Sequence, residues 1–295
     1  MLKILRYRSE YLLFLLLSTF IRVLPLPLAL LLGRSLGTLI YFVQPRRRRK
    51  ALHNLRLAFP EKGEEECRGL LRENFRQLGL TGIEMLRLDL YRHPQTVKGS
   101  FVVNGIEEVQ RALALKKGCF LLTGHIGFWE AGCILMPLHG IPTDLIYKQM
   151  KNPYVEKRIM ALREATGTRA IEKKRAARKI LRSLGDNHAV AVLIDQRVSS
   201  HEGVRVNFFN RPVNATPIIA TMAIKQGTPI VPAFSRRLPK HRYEITFAPM
   251  ITFPQENNPS AETVIAATQL LTDQIEAAVR RSPEQWFWVH DRWRL

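Results

Sequence analysis

The chain has 295 residues, 46% of them apolar, enough for one large core plus a small helical appendage. Forty-five Lys and Arg stand against 25 Asp and Glu, a formal charge of +20 that points to phosphate-rich surfaces or acidic proteins as partners. Nucleic acid satisfies that charge as well as an anionic lipid does, so charge alone leaves both open. Cys67, Cys119 and Cys133 are odd in number and lack CxxC spacing, which suggests neither a disulfide framework nor a zinc knuckle. They are expected as buried small side chains in a reducing, cytosol-facing protein.

From Tyr11 to Val43 the chain is almost wholly apolar, but Arg22 and Arg34 cut it into runs of roughly ten residues, short of the ~20 that span a bilayer cleanly. Pro25 and Pro27 remove backbone donors, so the sequence predicts a helix on each side of Leu24 to Pro27, arranged as a hairpin. Arg46-Arg47-Arg48-Arg49-Lys50 follows, a juxtamembrane cluster expected to face anionic lipid on the cytoplasmic side. No small-residue cleavage site follows the apolar run, which argues against a signal peptide. A helical pair buried on the main domain is the competing reading. Residues 1–50 are thus read as a membrane-associating leader and 51–295 as one α/β domain.

Residues 51–92 carry helical spacing. After Pro94, β-rich runs at Phe101 to Val103, Cys119 to Thr123, Thr143 to Tyr147, Ala189 to Ile194, Val204 to Phe209 and Pro229 to Ser235 alternate with helical patterns. The helical segments are Ile106 to Lys117, Phe128 to Leu138, Pro153 to Thr166, Lys173 to Leu184, Thr216 to Gln226 and Ala261 to Arg280. Such alternation predicts an α/β fold with a mostly parallel twisted sheet flanked by helices. Functional groups in such sheets gather just beyond the carboxyl ends of strands.

One run ends Leu121-Leu122-Thr123-Gly124 and is followed by His125-Ile126-Gly127-Phe128-Trp129-Glu130, so a histidine stands at a strand end with an acid five positions on. On a continuous helix the two would lie about 140° apart, but a strand, a glycine turn and a helix start let the chain fold back and bring them together. A lipid hydroxyl is a poor nucleophile at neutral pH, and an imidazole can take its proton as attack begins. Glu130 is expected to hold the ring and fix its tautomer, with amides near Gly127 stabilising the oxyanion. His139 and Asp144 have the same spacing between a helix end and a strand start, and are read as structural. Gly33-Arg34-Ser35-Leu36-Gly37 formally matches GxSxG, yet it lies inside the apolar leader without the strand that a nucleophile elbow needs. No Walker glycine loop or HExxH helix is present.

The stretch Thr123 to Glu130 resembles the HX4D/E motif of the bacterial lipid A late acyltransferases, the lauroyl and myristoyl transferase family. Asn152-Pro153, Arg163 and Gly167, Asp195-Gln196, Val206-Asn207-Phe208-Phe209 and the tail Pro283 to Trp293 resemble later blocks of that family in the same order. The resemblance implies a glycerolipid-acyltransferase-like fold and an inner-membrane enzyme of the cytoplasmic leaflet. It would pass an acyl chain from acyl carrier protein to a hydroxyl of a lipid A precursor, an anionic glycolipid, with neither metal nor cofactor beyond the carrier thioester. It adds Arg163 and Asp195 to the site as substrate-binding residues, Arg163 for a phosphate of the acceptor or of a carrier phosphopantetheine. Lys148, Lys151, Arg175, Arg178 and Arg182 are expected to attract an acidic carrier. Asn210 departs from the family's usual glycine, but asparagine tolerates a left-handed backbone and the turn is expected to survive. A phosphatidylinositol mannoside or lysophospholipid acyltransferase is the enzymatic alternative. A basic membrane- or RNA-binding module is the other, and it gives no reason for the His–Glu pair, so nucleic acid is not expected as a partner.

Overall fold

The computed structural model describes residues 2–174 and 176–294, with the side chains of Pro94 and Thr96 left aside. Proline at 25 and 27 separates two helices, α1 (Leu2–Val23) and α2 (Leu26–Val43), as their missing donors predict. They do not form the expected hairpin. α2 lies along α4 (Glu64–Leu86), whereas α1 leans on α4 and α8 (Pro153–Arg163). The reason is a glycine seam: a Cβ on Gly37 would stand 2.1 Å from the Phe75 carbonyl oxygen, and one on Gly79 2.0 Å from that of Gly33. The formal GxSxG of the leader is therefore a helix-packing motif, its two glycines letting backbones touch.

Both arginines that interrupt the apolar leader turn toward protein. Arg22 is ion-paired with Asp89, and Arg34 reaches Glu73 at 3.4 Å. Large apolar side chains also face outward: Leu12, Leu13, Leu16 and Phe20 on α1, and Leu28, Leu31, Leu39 and Phe42 on α2, are all exposed. α2 is the one described helix long and apolar enough to cross a membrane, with mean hydropathy 1.7 and 28% of its residues buried. The basic run begins α3 (Pro45–Ala58), a continuous helix across the expected boundary at residue 50. Its Asn54 side chain donates to the Trp288 carbonyl at 2.8 Å, tying this helix to the C-terminal tail.

The chain then alternates α5 (Pro94–Ser100), β1 (Phe101–Asn104), α6 (Ile106–Ala114), β2 (Cys119–Thr123), α7 (Gly132–Leu138), β3 (Thr143–Tyr147), α8, β4 (Arg169–Glu172), α9 (Ala176–Gly185) and β5 (Ala189–Leu193). A hairpin of β6 (Val204–Phe208) and β7 (Arg211–Ala215) follows, then α10 (Ile218–Gln226), β8 (Ile230–Leu238), β9 (Arg242–Phe247) and α11 (Ala261–Arg281). The seven-stranded sheet has the order β1-β9-β8-β2-β5-β3-β4. Five strands from β8 to β4 run parallel, and β9 meets β8 antiparallel and carries β1 alongside. The sheet is thus mixed at one side and parallel where the motif lies.

β2 is buried on both faces, the pattern of a central parallel strand. Phe120 and Leu122 join Ile180, Ile219, Leu271 and Trp288 on one side, while Cys119 and Leu121 join Val109, Ile134, Leu135 and Ile159 on the other. All three cysteines are buried and free. Phe209 and Asn210 both have positive φ, 53° and 55°, so the β6–β7 turn is made as expected with asparagine in the left-handed region.

Candidate active site

Parallel pairing of β2 with β5 aligns Thr123 with Leu193. Two residues further on stand His125 and Asp195, level with each other at the carboxyl edge of adjacent strands. Asp195 Oδ1 lies 2.8 Å from His125 Nδ1, and its Oδ2 accepts the His125 backbone N–H at 2.9 Å and the Trp286 indole N–H at 2.8 Å. The His125 side chain is 21% exposed and that of Asp195 1%. Burial disfavours charge on Asp195, but the charge and hydrogen bonds of His125, together with Trp286, bring its pKa down to about 2. Burial also opposes charge on His125, yet Asp195 outweighs it, helped by Glu130 and opposed by Arg163, and the imidazole is raised above 6.5. An ionised carboxylate has no proton to give, so Nδ1 carries the hydrogen and Nε2 bears the lone pair. Gln196 Nε2 approaches that lone pair at 3.3 Å.

Glu130 does not hold the ring. It sits in the 3-10 turn Trp129–Ala131, buried, where Arg163 Nε and Nη2 reach its two oxygens at 2.8 and 2.5 Å and Trp129 Nε1 donates at 3.2 Å. The fold-back of residues 124–130 does occur, but it delivers the acid to Arg163, the last residue of α8, rather than to the imidazole. Arg163 directs two of its nitrogens to Glu130 and lines the cavity beside His125. Asp195, expected to bind substrate, is sealed behind the ring instead.

The motif loop is clamped by the tail. Ile126 bridges to Trp286, and Gly127 N–H donates to the Gln285 carbonyl at 3.0 Å. Gly127 has φ +60° and its Cα faces the Ser235 carbonyl, which a Cβ would meet at 2.5 Å. Of the amides near Gly127 expected to stabilise an oxyanion, that of Gly127 itself is therefore already used. The tail residues Trp286, Phe287 and His290 complete the site, and only their block in the aromatic tail signalled them: Phe287 lies 5.8 Å from the His125 ring. Asp144, by contrast, pairs with Arg169 at 2.7 and 2.8 Å, a structural role as expected for the second His–acid spacing. Arg175 lies outside the described residues; Lys148, Lys151, Arg178 and Arg182 are exposed.

A cavity of about 700 Å³ opens beside Nε2. Its inner wall is apolar, with Leu121, Met136, Leu145, Ala191, Ile245 and Phe247, and its polar groups include His125, Glu130, Arg163, Lys148 and His290. That is the size and lining of a site for a largely apolar small ligand. A profile described as bacterial lipid A biosynthesis acyltransferase matches residues 1–295. The chain belongs to the bacterial lipid A biosynthesis acyltransferase family. Among similar proteins, a lipid A biosynthesis lauroyltransferase of Escherichia coli is 23% identical over 273 residues, 92% of this chain and 87% of that one. A lipid A biosynthesis acyltransferase of Haemophilus influenzae is 24% identical, covering 94% of this chain and 84% of its own. A phosphatidylinositol mannoside acyltransferase of Mycobacterium tuberculosis is 25% identical over 215 residues, 71% of this chain and 66% of its own. This member of the family is an acyltransferase, with His125 facing its cavity and Asp195 behind the ring.

Proposed function

We propose that this acyltransferase moves a fatty acyl chain from an acyl carrier protein thioester to a hydroxyl of a lipid A precursor, working at the cytoplasmic face of the inner membrane. The observation that carries the reading is His125, its Nδ1 fixed 2.8 Å from Asp195 and its Nε2 turned to a cavity with apolar walls. The acceptor hydroxyl donates to Nε2, displacing the long contact with Gln196, and gives up its proton as its oxygen attacks the thioester carbon. The imidazolium so formed is stabilised by Asp195 and returns its proton to the leaving thiolate. No acyl-enzyme is required, and metal and cofactor have no part in the proposal.

Glu130 and Arg163 enter this scheme as a pair. The Glu130 charge favours the imidazolium and Arg163 tempers it, as the opposite effects of the two on His125 indicate. The exposed apolar faces of α1 and α2, with the basic start of α3, seat the protein on anionic lipid. Lys148, Lys151, Arg178 and Arg182 attract the acidic carrier, an interaction weakened by salt. Mass spectrometry of products from dodecanoyl-acyl carrier protein and lipid A precursor tests the reading: one added acyl chain is expected. A second reading, acylation of a phosphatidylinositol mannoside, draws on the 25% identity to that mycobacterial enzyme. With both acceptors present, acylation of the mannoside alone would replace the first reading with the second.

A further inference from the structure

His290 stands one turn after Phe287, the residue whose ring packs 5.8 Å from that of His125, and both imidazoles line the same cavity. The backbone N–H of Arg197 donates to His290 Nε2 at 2.9 Å. A nitrogen that accepts a hydrogen bond carries no proton, so in the neutral ring the hydrogen is on Nδ1. The ring is kept neutral: burial disfavours its charge, and Arg292 and His125 add to that effect against the opposite pull of Asp195 and Asp291. Among the described residues Nδ1 has no hydrogen-bond partner.

The reaction needs such a donor. As the hydroxyl oxygen bonds to the thioester carbon, the carbonyl electron pair moves onto oxygen, and a charge develops there that must be met by a preorganised N–H. Four backbone donors beside the imidazole are committed elsewhere: His125 N to Asp195, Ile126 N to the Gly124 carbonyl, Gly127 N to the Gln285 carbonyl, and Arg197 N to His290 itself. We propose that His290 is a second catalytic imidazole, which keeps its proton throughout and donates Nδ1–H to the thioester carbonyl oxygen as that oxygen becomes negative. The division of labour is then complete: His125 shuttles one proton from hydroxyl to thiolate, the C–O bond forms, the C–S bond breaks, and His290 exchanges nothing. This inference rests on the acyl-transfer reading above.

Two substitutions separate the nitrogens of His290. In His290→Gln the amide oxygen takes the place of Nε2 and still accepts from Arg197, but no donor stands at the Nδ1 position. In His290→Asn the amide nitrogen restores a donor there, and the acceptor for Arg197 is lost. With full-length enzyme, dodecanoyl-acyl carrier protein and lipid A precursor, His290→Gln is expected to melt like the parent. It should lose roughly 10²–10³-fold in kcat at nearly constant KM, with the acidic limb of its pH profile unmoved. His290→Asn should melt lower yet keep kcat within about tenfold of the parent. The proposal is overturned if His290→Gln turns over at about the parental rate, if its loss lies in KM, if the acidic limb shifts, or if His290→Asn is no more active than His290→Gln. His125→Ala measured alongside isolates the other question: normal turnover in that variant sinks the general base and leaves the His290 comparison to be read by itself.

Discussion

Two buried acid–base couples flank the motif loop, His125 with Asp195 beyond β2 and β5, and Arg237 on β8 with Glu84 on α4. In the second, Arg237 Nε meets the two Glu84 oxygens at 2.8 and 3.1 Å, its Nη2 donates to Thr81 at 2.6 Å, its Nη1 to Gln77 at 3.1 Å, and Tyr243 donates to Glu84 at 2.9 Å. Side-chain exposure is 7% for Arg237 and 1% for Glu84, against 21% for His125 and 1% for Asp195. The acids are equally enclosed. The contrast lies in the cationic partner: Arg237 has its donors engaged inside the protein, whereas His125 keeps one nitrogen toward the cavity. A closed network can only hold helix to sheet, while an open one can exchange a proton with something that enters.

This contrast can be broken at either couple. His125→Ala is expected to cost up to ~10⁴-fold in kcat, about 5.5 kcal/mol of transition-state stabilisation, with little change in melting temperature. A matching loss of stability would mean that the open couple is structural after all. Glu84→Gln should do the reverse, leaving the Arg237 charge buried without its counterion and lowering stability by roughly 3–5 kcal/mol in denaturant unfolding. Asp195→Asn sharpens the first couple: turnover should fall by roughly 10²–10⁴-fold as the tautomer is no longer fixed. Because Asp195 raises the His125 pKa above 6.5, and a base works only when neutral, activity fails as pH drops through that raised value. Removing the carboxylate should move this acidic limb to lower pH in a kcat/KM profile. The smallest effect is expected at the seam between leader and domain. Gly37→Ala, with its Cβ driven toward the Phe75 carbonyl, should cost roughly 1–3 kcal/mol and leave the pH profile untouched.

His125 was legible because a buried apolar run ending in Thr-Gly announces a strand end, and strand ends are where parallel sheets gather function. Asp195 entered the site through the resemblance carried by Asp195-Gln196. What local sequence could not supply was the partner: His125 and Asp195 are 70 positions apart, and their meeting depends on β2 and β5 being neighbours in a given register. The proximity of Glu130 along the chain was the misleading signal, since a 3-10 turn swings its carboxylate toward α8. Three strands went unread, two of them for identifiable reasons. β4 is a four-residue edge strand that opens on Arg169, and β7 contains Pro212, which demotes a strand reading. β9 did carry period-two alternation at Tyr243, Ile245 and Phe247, and was readable. The leader's break at Pro25 was visible, but the seam that pulls α2 away from α1 joins glycines separated by more than forty residues.

The ladder that sets Thr123 against Leu193 has one more implication. A slip of a single residue between β2 and β5 turns every side chain to the opposite face. A collapsed species carrying that slip would retain much helix and bury much hydrocarbon, yet its imidazole and carboxylate would never meet. Recovery of turnover after dilution from denaturant therefore counts molecules with the correct strand alignment, where circular dichroism would count both.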